Sequence, residues 1–152
     1  KEMSNMIKNM KFDVMAGVPY TALPIAVHMS KQLNKPMIYA RKETKKYGTG
    51  RKIEGVFKKG NKCLIIDDMI TDGGSKFENI KPMKQAGMKV KDVVVVLDRE
   101  QGGDKNLAKK GYKLTSLLKL TDVLGILRDY EKISEKKYQE VMDYLKKTQT
   151  SK

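Results

Sequence analysis

The 152-residue chain has no tryptophan, three phenylalanines, four prolines, one histidine and one cysteine. The lone Cys63 excludes an internal disulfide framework and a cysteine-rich zinc site. It predicts a reducing, cytoplasmic setting. No apolar run approaches the roughly 18 residues a membrane span needs, so no membrane partner is expected. Arginine is scarce as well. Of 32 Lys+Arg, only Arg41, Arg51, Arg99 and Arg128 are arginine.

The remaining cations are lysines scattered along the whole chain, and the formal net charge is +14. A strongly basic chain invites a nucleic-acid reading, because clustered cations release counterions from a phosphate backbone. Scattered lysines read instead as solvated surface, and no nucleic-acid partner is expected. The length suits one domain with a single core, and 39% hydrophobic with 33% charged residues describes a globular chain.

Short apolar runs alternate with helical patterns, the mark of βαβ units and a parallel sheet. Residues 2–10 read as the end of a helix. Strands are expected at Phe12–Ala16, Met37–Ala40, Lys62–Asp67, Val93–Leu97 and, more weakly, Tyr112–Leu117. Helices are expected at Leu23–Leu33, Ser75–Gln85, Thr121–Tyr130 and Ser134–Lys147. The first of these stops at Asn34-Lys35-Pro36, where proline cannot continue a helix. The predicted fold is an open, mostly parallel, five-stranded α/β sheet flanked by helices. The expected division is a core over 1–147 and a tail over 148–152. His28 falls within a helix pattern and reads as structural, and Cys63 as a small core filler.

In such a sheet, ligands bind beyond the carboxyl ends of the strands. Four strands end in polar or glycine-bearing turns: Gly17–Thr21, Arg41–Gly50, Asp67–Ser75 and Asp98–Gly103. Thr71-Asp72-Gly73-Gly74-Ser75 bends straight into a helix, so its backbone N–H groups and the positive helix end face one point, as an anion requires. Asp67 and Asp68 before it suit sugar hydroxyls, or a Mg²⁺ shared with a diphosphate. Taken alone, the same residues also fit a plain turn with solvated aspartates. The stretch Lys42–Gly55 is long and polar, fitting either a solvated loop or a lid whose Lys42, Lys45, Lys46 and Arg51 close over a polyanion. Two of the four arginines, Arg41 and Arg99, stand at strand ends, where a planar fork meets carboxylate or phosphate.

Together these loops resemble the type I phosphoribosyltransferases. Cys63-Leu64-Ile65-Ile66-Asp67-Asp68-Met69-Ile70-Thr71-Asp72-Gly73-Gly74-Ser75 is similar to their phosphoribosyl-diphosphate (PRPP) motif. Arg41-Lys42-Glu43-Thr44-Lys45-Lys46-Tyr47-Gly48-Thr49-Gly50 and Leu97-Asp98-Arg99-Glu100-Gln101-Gly102-Gly103 resemble orotate phosphoribosyltransferases. In particular, with Gly17-Val18-Pro19-Tyr20-Thr21-Ala22-Leu23-Pro24, they resemble the orotate phosphoribosyltransferase domain of uridine monophosphate synthase. The resemblance spans roughly residues 1–145.

It implies transfer of the phosphoribosyl group of PRPP to orotate, giving orotidine 5′-monophosphate and diphosphate. Asp67 and Asp68 would hold the ribose hydroxyls, and Thr71, Asp72, Gly73, Gly74 and Ser75 the 5′-phosphate. Tyr20, Thr21 and Lys42 would meet the diphosphate. Arg41, Lys45 and Tyr47 would reach the neighbouring site of a homodimer, Lys45 as the catalytic loop lysine. Arg99, with Thr71, would bind orotate, and Mg²⁺ would arrive with PRPP near Asp67 and Asp68, with no side chain assigned as its ligand.

Departures from the family pattern are Asp72 at a position usually small, Thr21 for a lysine common in bacterial members, and Tyr47 for their histidine. The family's N-terminal hood, which covers orotate, is expected to be missing from this sequence. Rival readings are a regulator of the same fold that binds PRPP or RNA without catalysis, and a purine phosphoribosyltransferase.

Overall fold

The computed structural model describes residues 1–41 and 52–150, with the side chain of residue 150 excepted. Among the described residues six strands form one sheet: β1 (Val14–Gly17), β2 (Met37–Ala40), β3 (Ile53–Glu54), β4 (Lys62–Ile70), β5 (Lys89–Asp98) and β6 (Lys113–Lys119). The order is β3-β2-β1-β4-β5-β6. β3 runs antiparallel to β2, and the other four pairings are parallel. The expected five parallel strands are present, and β3 is the sixth. Two residues are too few to display a period, so nothing in the polar stretch distinguished them.

Helices α1 (Glu2–Ile7) and α2 (Ala22–Leu33) cover one face, and α3 (Gly74–Gln85) and α4 (Gly103–Lys109) the other. Side chains on β4 alternate between them. Leu64 and Ile66 join Met3, Ile7, Met15, Met29 and Val94 on the first face. Cys63 and Ile65 join Ile80, Met83, Val93, Val95 and Leu107 on the second. Burial on both faces is why β4 and β5 read as continuous apolar runs. Cys63 is buried as expected, and desolvation pushes its thiol up to about 12.

Helices α5 (Leu120–Asp129) and α6 (Glu135–Thr150) follow β6, with the Arg128 guanidinium 4.5 Å from the Tyr138 ring centre. α2 ends where proline predicted, at a left-handed Asn34 whose N–H donates to the Ser30 carbonyl.

Other expectations are corrected. β1 begins at Val14 rather than Phe12. α1 ends at Ile7. His28 is exposed on α2 and supports no core. α4 was not foreseen, because Gly102-Gly103 reads locally as a turn. The correction that matters most is at β4, which continues to Ile70. Its pairing with β5 runs through Asp67 opposite Val95 to Ile70 opposite Asp98. Asp67 is in the strand as expected, and Asp68 to Ile70 continue it rather than opening the loop beyond.

Candidate functional site

Parallel register brings the turns after β1, β4 and β5 to one edge. Gly17 pairs with Ile66, and the Val18 N–H donates to the Ile66 carbonyl at 3.0 Å, so the turn carrying Tyr20 and Thr21 starts beside Asp67. Within it the Pro19–Tyr20 peptide is cis, and Tyr20 and Thr21 are exposed. On the other side, the Arg99 N–H donates to the Ile70 carbonyl at 2.9 Å, placing the arginine turn next to Thr71.

The loop Thr71–Ser75 opens α3 as expected. Gly73 takes the left-handed conformation (φ 90°) as the residue preceding the helix, a geometry glycine adopts without strain. Gly73 itself has no side chain to cap this end, and the positive end of the helix dipole faces the loop. Asp72 folds its carboxylate onto the loop, and Oδ1 accepts the Gly74 N–H at 3.0 Å. The loop after β5 buttresses it. Asn106 Nδ2 donates to the Asp72 carbonyl at 3.0 Å, and Gly103 packs so closely that a Cβ there would lie 2.6 Å from both Ile70 Cγ1 and the Thr71 carbonyl oxygen.

The neighbouring aspartates have different surroundings. Asp67 is buried and paired with the equally buried Lys76 of α3, Nζ to Oδ2 2.5 Å. Its other oxygen accepts the Asp68 N–H at 2.8 Å. Burial is the main cause that lifts its carboxyl to about 6, opposed by the Lys76 ammonium. Asp68 is half-buried, and its Oδ1 accepts the Met69 N–H at 2.8 Å.

Arg99 is half-buried, and its turn is held from three sides. The Glu100 N–H donates to Asp98 Oδ1 at 2.8 Å. Glu100 Oε2 accepts the Thr121 N–H of α5, and the Glu100 carbonyl accepts Gln149 Nε2 of α6, both at 2.8 Å. Glu100 itself has φ 56°.

Asp98 is buried, and desolvation raises its carboxyl above the ordinary value. The folded chain thus holds a proton at this site that the unfolded chain has already released. Its contribution to stability is present below about pH 4 and is lost as pH rises through the folded value. Asp98→Asn keeps an oxygen for the Glu100 N–H and removes the charge. Its unfolding free energy should therefore gain on the parent's as pH rises above about 4, and urea titrations at several pH values measure the difference. A parallel pair of pH curves would refute this.

Arg41, half-buried after β2, pairs through Nη2 with Glu54 of β3. Lys42, Lys45, Lys46, Tyr47 and Arg51 lie outside the described residues. Sequence reasoning missed Lys76 and Asn106, and gave Gly103 no packing role. Gly102-Gly103 was the one visible signal, since Lys76 looks like any other lysine in this chain.

A mostly parallel sheet with a glycine-bearing loop entering a helix, two aspartates ahead of it and an arginine turn alongside has the arrangement an anionic ligand requires. The chain belongs to the Phosphoribosyl transferase domain family, which matches residues 1–127. Among relatives, it is 43% identical over 134 residues to uridine 5′-monophosphate synthase of Bos taurus, covering 88% of this chain and 28% of that protein. It is 38% identical over 141 residues to orotate phosphoribosyltransferase of Pyrobaculum islandicum, covering 92% and 72%. The structure of Leishmania donovani UMP synthase superposes with a TM-score of 0.87 at 36% identity, covering 96% of this chain and 32% of that one. The chain thus spans under a third of the length of the two UMP synthases it matches. Among the described residues no helix is long and apolar enough to cross a membrane.

Proposed function

We propose that this chain acts as an orotate phosphoribosyltransferase, forming orotidine 5′-monophosphate and diphosphate from orotate and PRPP in pyrimidine (UMP) biosynthesis. The observation that carries the reading is the Thr71–Ser75 loop, with Asp68 ahead of it and the Arg99 turn tied to its first residue's neighbour, Ile70. The similarity to orotate phosphoribosyltransferases supports the choice of base.

In the reaction the bond from the ribose anomeric carbon to the diphosphate oxygen breaks, and one to a ring nitrogen of orotate forms. Positive charge grows on the sugar and negative charge on the leaving group. The Asp68 carboxylate favours the first, and Lys42 and Lys45 the second, as preorganised electrostatics requires. The α3 N-terminus takes the 5′-phosphate, Tyr20 and Thr21 border the diphosphate, and the Arg99 fork takes the orotate carboxylate.

Among the described residues no three His, Cys, Asp or Glu side chains group together as a metal site. Mg²⁺, which keeps several waters and binds substrate phosphates, would arrive with PRPP near Asp67 and Asp68 and supply positive charge to the departing diphosphate. The working form is a cytoplasmic homodimer in which the segment carrying Arg41, Lys42, Lys45 and Tyr47 reaches the neighbouring site.

The test is PRPP- and Mg²⁺-dependent loss of orotate absorbance. Lys45→Ala should lower kcat by about 10²–10³-fold, the usual cost of one electrostatic donor. Turnover of a purine base in place of orotate would overturn the substrate assignment. Salt-sensitive RNA binding without any turnover would overturn the enzyme.

A further inference from the structure

Lys76 differs from the chain's other cations. It sits in the first turn of α3, directly after the phosphate loop, yet it is only 4% exposed. Lysine is almost never buried so fully unless paired. Its Nζ lies 2.5 Å from Asp67 Oδ2 and 3.1 Å from Ser75 Oγ. Asp67 Oδ1 in turn accepts the Asp68 N–H. Both oxygens of Asp67 are thus occupied, one by the helix after the loop and one by the backbone of its neighbour. A connected path runs from Ser75 through Lys76 and Asp67 to Asp68.

A buried ion pair seldom adds net stability over an apolar pair of the same size, whereas specifying one geometry is its best-attested use. Apolar residues flank this one. Val95 is the register partner of Asp67 across the sheet, and Ile65 precedes it on the same face of β4. An apolar residue at 76 would complete that packing, so the lysine calls for another explanation.

We propose that Lys76 is a positioning residue: by holding Asp67 in one rotamer it fixes the Asp68 backbone, and so aligns the carboxylate offered to the ribose with the loop that holds the 5′-phosphate. The proposal rests on the phosphoribosyl-transfer reading. Two parts of one ligand are then gripped by groups that share one ammonium. Displacement of Asp68 by a fraction of an ångström is felt as misorientation of the sugar relative to its phosphate.

The test uses Lys76→Met and Lys76→Arg in the full chain. In the parent, the Asp68 amide proton should resonate downfield and exchange slowly. In Lys76→Met it should move upfield and exchange at least tenfold faster. The KM for PRPP should rise about 10- to 100-fold, the scale on which misplacement acts, while the KM for orotate stays put. Lys76→Arg should recover part of both effects.

An unchanged Asp68 amide and PRPP KM in a folded Lys76→Met would overturn the proposal. Should that variant not fold, a parent Asp68 amide at its random-coil shift and in fast exchange would overturn it equally. If the parent turns over no PRPP while the amide signature still follows Lys76, the transfer reaction is refuted and the Lys76 link to Asp68 is upheld.

Discussion

Asp67→Ala should lower the unfolding free energy by about 3–5 kcal/mol, the cost of stranding one member of a buried ion pair. Asp68→Ala should cost only about 1 kcal/mol, for one lost hydrogen bond at a half-exposed position. Adjacent residues of identical chemistry would then behave as a structural and a ligand-facing group. The difference follows from surroundings: Asp67 is buried against Lys76, while Asp68 is half-buried and meets a backbone N–H. A loss of 3–5 kcal/mol is a large share of the 5–15 kcal/mol typical of a domain, so urea midpoints will separate the two variants. PRPP supplies the second axis. It should raise the melting temperature of the parent and leave that of Asp68→Ala unmoved. Equal destabilisation by the two substitutions would contradict the division of labour.

Gly103→Val should damage the site from behind. The first atom of any side chain here meets Ile70 and the Thr71 carbonyl at 2.6 Å, a distance real Cβ atoms essentially never show. Either α4 backs away or the start of the phosphate loop moves. Overpacking of this kind costs about 1–3 kcal/mol, and a shifted loop should weaken PRPP binding by about tenfold or more. Gly125→Ala is the matched control. It lies in α5 with no neighbour within 4 Å of the new Cβ, and should stabilise the chain by about 0.5–1 kcal/mol through helix propensity alone. Calorimetric titration with PRPP distinguishes them, and undiminished affinity in Gly103→Val would show that the two loops are not mechanically joined.

The parts of this architecture written in consecutive residues were legible. Lys62–Asp67 and Val93–Leu97 announce buried strands because both faces of β4 and β5 are covered, so apolar residues run on without a break. The turn at Thr71–Ser75 was legible because glycine followed by a helix pattern has few geometries. Strand β3 was not, since two residues carry no period. The extension of β4 past Asp68 was not either, because only pairing with β5 keeps two carboxylates in a sheet. Lys76 illustrates the deeper limit. Its type matches a surface residue, and only the packing of α3 onto β4 reveals which lysine faces inward. Asp67 shows the same limit: spacing placed it beside a ligand, and only its burial reveals the pairing with Lys76.

The hydrogen bond from Gln149 to the Glu100 carbonyl carries a mechanical consequence. The last described turn of the chain is attached to the loop that presents Arg99, by way of a residue already in a left-handed backbone conformation. A load at the end of α6 therefore reaches the Arg99 turn through this bond, as well as through the packing of the helix at buried Leu145. A handle joined there would pull on the backbone one residue from Arg99, so α6 and the turn after β5 share one mechanical element.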